Sequence, residues 1–581
     1  MAKHLVNLAL LLALAGILLF VGLGSIGLTD RDEGRNAEAG REMLETGDWI
    51  TPTFNYEPRF YKPALVYWLM SGSYSLFGVN EFAARFHSAL FGIALILVQY
   101  WFSVCWQAPN IGLFSALMLL LNIEMIGLNR MALTDSVLVF FTTTAQFAFW
   151  AGLHGTGRRS WMWWFYAAMG IATLAKGPVG FIIPLVTMTL YLTFTRRWGQ
   201  FWREGHPLLG TGLFVLVTLP WYGTMLAIHG SAYVTIAKAQ TVGRFMAPME
   251  GHGFGLLFYV PVVLLGFFPW SALLPMSMYG CLKAWKAARR TGASAPPPAT
   301  AGAGTASTEL ELFASLWVIG SFVFFTLSST KLQHYIAPLF PAAALLTATY
   351  WHRSLVDPAT KGVRAAIHVM MGLGFLLALG LSSIPWIYSR FSDKLLKEFP
   401  SAGLLDPSAW DAGPYAAALV LLIGMAMVGY WGLNEQRRAG AFWAAGGTLA
   451  LVVLITIRLS LPLMNHYFVS PPQELAYAAG VNLQPSDHFV VYGSTRPSTI
   501  FYARRQAVFI PFGEEETIRL TLAKPDRTMV LLPERFRSNL PKEADQLVPL
   551  LRRHGYVLLA NQPMVTIPEG TAPPPARLSP H

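Results

Sequence analysis

The residues able to do chemistry crowd into one stretch of an otherwise charge-poor chain. Thr29-Asp30-Arg31-Asp32-Glu33-Gly34-Arg35-Asn36 runs on through Gly47-Asp48-Trp49 to Tyr61-Lys62-Pro63, while only 13% of all residues are charged. A further acid, Asp135, follows the apolar Met131-Ala132-Leu133. A carboxylate entering an apolar segment must be paired, hydrated or functional. Two acids from separate loops can act as base and orienter, or bind a cation; for any one of them a solvated acidic loop is the plain alternative. Lys62, Lys176, Arg244 and Lys331 recur at the edges of apolar segments. Snorkelling or headgroup contact accounts for each alone. Together, on the side that carries the acids, they point to an anion at the membrane surface. A lipid phosphate fits, since Arg binds it bidentately and Lys as a point charge.

The elements that must position these residues are apolar helices. The chain has 581 residues, 54% of them hydrophobic, and apolar runs of about 20 residues recur along most of it. Backbone groups in lipid must bond internally, so the spans are α-helical. The sequence predicts an all-α polytopic membrane domain over 1–464 with about 13 transmembrane helices. Lys3 beside the first span puts the N-terminus in the cytoplasm. Loops 28–82 and 227–253 then lie outside, and the basic turns at Arg158-Arg159, Arg196-Arg197, Lys283 to Arg290 and Arg437-Arg438 lie inside. Within the first outer loop, Glu38 to Leu44 reads as a short amphipathic helix ended at Gly47-Asp48. Leu65 to Phe77 reads as an interfacial helix.

The stretch 291–309, rich in Ala, Pro, Gly and Thr, reads as a flexible cytoplasmic linker. From 465 to 568 the texture is that of a small outer α/β domain. Strands are expected at Asp487 to Tyr492 and Thr528 to Leu532, and helices at Thr517 to Leu522 and Glu543 to His554. The tail 569–581 is Pro-rich and expected to be disordered. A net charge of +11 is explained by topology-setting loops and anionic lipid rather than by nucleic acid, for which no recognition module is present. Two cysteines give no disulfide framework. Glu250 with His252 hints at a metal without supplying a full ligand set. Interfacial aromatics, Tyr61 and Tyr335 among them, serve as belt residues or stack on a sugar.

The ordered motifs carry a resemblance. Asp32-Glu33-Gly34-Arg35-Asn36-Ala37-Glu38, then Arg41-Glu42-Met43-Leu44-Glu45-Thr46-Gly47-Asp48-Trp49, then Lys62-Pro63-Ala64-Leu65-Val66-Tyr67-Trp68 resemble the GT-C glycosyltransferases, and among them the aminoarabinose transferase (ArnT) branch. Leu133-Thr134-Asp135, Lys176-Gly177-Pro178, Pro220-Trp221-Tyr222, Arg244-Phe245, Pro269-Trp270 and Lys331-Leu332-Gln333-His334-Tyr335 continue the series. The resemblance implies a multi-pass protein of the bacterial inner membrane with its active site and C-terminal domain in the periplasm. It implies an undecaprenyl-phosphate sugar donor, 4-amino-4-deoxy-L-arabinose as the sugar and a lipid A phosphate as acceptor. It assigns catalytic roles to Asp32 and Asp135, and donor or acceptor phosphate contacts to Lys62, Arg244 and Lys331. Glu33, Arg35, Tyr61 and Tyr335 are the further substrate-contact candidates. No cofactor is required for such chemistry, and a divalent metal is left open. Transfer to protein hydroxyls or another glycan, and a lipid transporter or flippase, are the competing readings. The chain departs from the branch at Tyr61, where it has Glu, and at Gln240-Thr241-Val242-Gly243, where it has a Glu-His pair before Arg-Phe.

Overall fold

The computed structural model describes residues 2–155, 158–249, 251, 253–290, 308–396, 399–401, 404–410, 412–524 and 526–563. The linker expected over 291–309 lies almost wholly outside the described residues, as do the tail 569–581 and both Glu250 and His252.

Helix α1, Ala2–Phe20, leads into the charged stretch, whose residues Asp32–Thr46 form α2. Asp32 and Glu33 occupy the first turn of α2, where carboxylates complement the helix dipole. Gly47 ends the helix in the left-handed region at φ 72°, its N–H donating to the Met43 carbonyl. Asp48 then closes a turn by accepting from the N–H groups of Ile50 and Thr51 at 2.9 and 3.0 Å. A two-stranded ribbon follows, β1 Thr53–Phe54 and β2 Glu57–Pro58. Helix α3 spans Leu65–Phe77, as the sequence predicts. The amphipathic expectation for α2 is corrected. Glu33, Asn36, Glu38, Arg41 and Glu42 are all buried, because α3, the ribbon and the C-terminal domain enclose the helix.

Helix α4, Glu81–Trp106, is capped by Asn80, which accepts from the Ala83 N–H. Helices α5, Pro109–Leu120, and α6, Ile123–Asn129, meet at a bend of 67°. The Asn122 side chain restarts the second half by accepting from the Met125 N–H. Helix α7, Asp135–His154, and α8, Arg158–Lys176, follow as a closely packed pair. Buried polar side chains on the spans pair with one another, as an apolar surround requires. Gln146 donates to Thr187 at 2.8 Å and Gln99 to the Pro341 carbonyl at 3.1 Å.

Each of the thirteen expected segments contains helix. Among the described residues, eight helices are long and apolar enough to cross a membrane, or up to ten if each bent pair counts as one span. The difference has a physical source. Val179–Thr195 and Phe340–Val356 have 17 residues each, and α8 opens on Arg158-Arg159 and ends on Lys176.

The last apolar helix does not stop at the C-terminal domain. Arg438–Asn482 runs as one 45-residue rod, through π-helical segments at Thr456–Ser460 and Asn465–Val469. Its end packs on a five-stranded sheet of order β4-β3-β5-β7-β6. Strand β3, His488–Tyr492, lies parallel to β4, Ala507–Ile510, and to β5, Thr528–Pro533. The strands expected near 487–492 and 528–532 are thus the two central parallel ones. The helix expected over Glu543 to His554 is a correction. Lys542–Gln546 forms a 3-10 turn, and Val548–Arg553 forms β6, antiparallel to β7, Tyr556–Ala560. Pro549 is tolerated there because β6 is the sheet edge.

Candidate active site

The site is built by fixing α2. Glu33 is 1% exposed and accepts five hydrogen bonds, two from Arg85, two from Thr29 and one from the Ala132 N–H. Arg85 also donates to the carbonyls of Leu23, Ile26 and Gly27. One buried ion pair therefore ties together the end of α1, the start of α2, α4 and the loop before α7. Asp30 accepts from the N–H and hydroxyl of Ser498 at 2.7 and 2.9 Å, seating the helix Ser498–Ala503 of the C-terminal domain on the same loop. Gly34 makes this approach feasible, since a Cβ there would lie 2.7 Å from the Ser498 nitrogen. On the other side Asn36 donates to the Ala132 carbonyl, and Arg59 donates to the Arg35 carbonyl, the Asn36 amide oxygen and the Tyr67 hydroxyl. Asp32, half-buried on the first turn, is thereby held without itself being one of these fasteners.

Around Asp32 the charges converge. The Asp135 carboxylate, 2% exposed, pairs with the Lys176 ammonium at 2.6 Å. Lys176 in turn lies 4.5 Å from the centre of the Tyr335 ring, a cation–π distance. The Tyr335 hydroxyl accepts from Arg244 at 3.1 Å, and Arg244 also donates to Gln240 at 2.8 Å. The Arg244 segment is clipped to the loop before Tyr335. The Ser329 and Thr330 N–H groups donate to the carbonyls of Phe245 and Arg244.

The cluster's electrostatics bind these groups together. Burial opposes charge on Asp32, but Lys62, Arg59, His334 and Lys176 outweigh it and hold the carboxyl below its ordinary value. Burial, then the charges of Lys176 and Arg244, push the Lys62 ammonium down to about 8, against the pull of Asp32 and Asp135. Burial likewise pushes His334 down to about 4, although Asp135 and Asp32 favour its cation. The result is a cluster of opposite charges: two carboxylates among Lys62, Lys176 and Arg244. It can hold an anion against the bases while a carboxylate orients a second reactant.

The sequence profile of the dolichyl-phosphate-mannose-protein mannosyltransferase family matches residues 30–232, the part of the chain that supplies Asp32, Lys62, Asp135 and Lys176. The chain is 26% identical over 538 residues to the undecaprenyl phosphate-alpha-4-amino-4-deoxy-L-arabinose arabinosyl transferase of Edwardsiella ictaluri, covering 90% of both. It is 28% identical over 440 residues to the enzyme of that name from Aeromonas hydrophila, covering 74% of this chain and 72% of that one. Its fold matches the crystal structure of ArnT from Cupriavidus metallidurans bound to undecaprenyl phosphate. The TM-score is 0.74 at 24% identity, over 97% of this chain and 99% of the other. This chain is a glycosyltransferase similar in sequence and in fold to ArnT.

Within this ArnT-like transferase the sequence-derived candidates separate. Asp32, Lys62 and Asp135 come together, and Arg244 and Tyr335 join them through Lys176. Glu33, expected to touch substrate, is enclosed by Arg85, Thr29 and the Ala132 N–H and holds the scaffold instead. Lys331, expected at a phosphate, is 4% exposed and donates to the Ser328 carbonyl at 2.5 Å, closing the turn after Thr308–Leu327. Tyr61 is 42% exposed, with its ring 5.8 Å from the Arg59 guanidinium. Arg35 is half-buried beside Asp32, and its carbonyl accepts from Arg59. Two cluster members had no assigned role from sequence, His334 and Arg59, and Lys176, read from sequence as one of four bases facing an anion, is paired with Asp135. The signal for Lys176 was present, because an acid buried at the mouth of an apolar helix needs a cation. Among the described residues, no group of three or more His, Cys, Asp or Glu side chains is placed to hold a metal ion.

Proposed function

We propose that this transferase moves 4-amino-4-deoxy-L-arabinose from undecaprenyl phosphate to a phosphate of lipid A, on the periplasmic face of the bacterial inner membrane. The observation that carries the reading is the convergence of Asp32, Lys62 and Asp135 from three separate stretches of chain in one charged cluster. The names of relatives spanning 90% of the chain supply the sugar and its carrier. An acceptor phosphate oxygen attacks the anomeric carbon as the bond from that carbon to the donor phosphate oxygen breaks. Undecaprenyl phosphate leaves with the electron pair, stabilised by Lys62 and Arg244. An ionised acceptor phosphate has no proton to lose, so Asp32 orients the acceptor or binds the sugar's amino group rather than acting as a base. Asp135 supports this by fixing Lys176. These cations supply the charge a metal would otherwise bring, so transfer is expected to proceed with chelator present.

The test is turnover of purified protein with synthetic undecaprenyl-phosphate aminoarabinose and lipid A, with and without divalent cation, read by mass spectrometry. An added aminopentose on lipid A is expected, and it disappears in Asp32→Asn while the variant remains folded. Near-normal transfer by that variant removes Asp32 from the mechanism. The family profile over 30–232 favours a second reading, with a protein hydroxyl as acceptor. Asp32 would then take the hydroxyl proton as general base. Sugar appearing on peptide rather than lipid A selects that reading.

A further inference from the structure

Two histidines outside the charged cluster meet where the transmembrane rod enters the C-terminal domain. His466 sits on the π-helical segment Asn465–Val469 of the rod, a type of irregularity common at functional sites. His554 sits in the turn between β6 and β7 with φ at 35°, a left-handed conformation unusual for a residue other than glycine. The turn is tightly seated, since a Cβ on Gly555 would lie 2.7 Å from the Pro400 carbonyl oxygen. The two Nε2 atoms are 3.2 Å apart, with ring centroids at 4.6 Å and planes inclined by 71°. Tyr467 packs 4.9 Å from the His554 ring. Beside the pair, Glu474 accepts from Ser470 at 2.9 Å and from Arg553 at 3.1 Å.

A hydrogen bond between the rings explains this spacing only if one of them carries its proton on Nε2. A shared cation explains it as well. Two nitrogens each about 2.0–2.1 Å from a tetrahedral zinc ion are separated by about 3.3 Å. Neutral imidazole is also the commonest metal ligand. We propose that His466 and His554 form a two-histidine site for a divalent transition ion of the zinc class, with its remaining positions open to water or a small ligand. Such an ion would cross-brace the rod and the β6–β7 turn, elements that otherwise meet here through surface contacts such as Arg553–Glu474. The site is independent of the catalytic reading.

Full-length protein without a histidine tag, stripped with chelator and kept in detergent, is titrated with ZnCl2 and separately with MgCl2 by calorimetry. The wild type is expected to take up a zinc equivalent that is absent or weakened at least the roughly 10-fold that even an outer-sphere change costs in His466→Ala and in His554→Ala. Magnesium should give no such signal. Zinc should also raise the thermal midpoint of the wild type but not of either variant. His466→Gln, which keeps side-chain bulk, guards against a packing artefact. Absence of zinc uptake by the wild type, or uptake retained in either alanine variant, overturns the proposal.

Discussion

The Lys176 ammonium stands 2.6 Å from the Asp135 carboxylate and 4.5 Å from the centre of the Tyr335 ring, joining α7, α8 and the loop before Phe340–Val356 through one cation. Removing one partner of a buried pair leaves an uncompensated charge and costs about 3–5 kcal/mol. Lys176→Met should therefore lower stability by about that amount and abolish transfer. The double variant Lys176→Met with Asp135→Asn should recover most of the stability but none of the transfer. Chemical denaturation and turnover on the same preparations separate the two effects; equal stability of single and double variants would mean that the pair is not electrostatically coupled.

Lys62 loses its charge at a pH close to neutrality. Burial and the neighbouring Lys176 and Arg244 bring it down to about 8, so the ammonium is present below that value and lost above it. Affinity for a lipid phosphate should fall as pH rises through and beyond about 8, a bound anion shifting the midpoint upward. Lys62→Arg keeps its charge at every such pH and should flatten the profile, at some cost in positioning. Binding of undecaprenyl phosphate measured from pH 6 to 10 checks this, and an unchanged slope in the Arg variant removes Lys62 from anion binding.

Glu33 and Asp32 are adjacent acids with opposite expected phenotypes. Glu33→Gln leaves the buried Arg85 guanidinium without its counter-charge, which should cost about 3–5 kcal/mol and shrink the monodisperse fraction in detergent. Asp32→Asn should leave the melting curve near that of the wild type and remove turnover. A stable, active Glu33→Gln protein would contradict the scaffold role.

Glu42 introduces a pH dependence of stability. Burial and the neighbouring Glu38 raise its carboxyl to about 7, even though Thr53 and the Tyr56 N–H favour the charged form. A carboxyl raised on folding stabilises the fold fully below its unfolded value of 4.5 and stops doing so as pH rises through about 7. Its carboxyl group ties the β1–β2 ribbon to α2, and ionising it there is net unfavourable because of burial and Glu38, so hydrogen-exchange protection of residues 53–58 should decline between pH 5 and 8. Glu42→Gln should remove that decline; a pH-dependent loss that persists in the variant assigns it to another group.

Much of the scaffold was legible without coordinates. Hydrophobic runs located helix in all thirteen expected segments, Gly47 marked the end of α2, and the apolar β-branched runs near 490 and 530 became the central strands. Those signals are local, which is why they survive in the sequence. The stretch 543–554 misled for the opposite reason. Its strand exists because β7, which follows it, pairs with β5 on its other side, and no local periodicity reports such pairing.

The sharpest contrast lies in three residues. Asp30, Asp32 and Glu33 are indistinguishable by type and nearly so by position, and the sequence determined only that acids cluster after the first apolar segment. Tertiary structure sorted them. Asp30 went to Ser498, 468 residues away, Glu33 to Arg85, and Asp32 to the charged cluster with Lys62 and Lys176. A charge's role depends on which opposite charge shares its low-dielectric surroundings. That partner is chosen by helices packing from distant parts of the chain, so composition and order could name the chemistry while only the packed structure could say which carboxylate performs it.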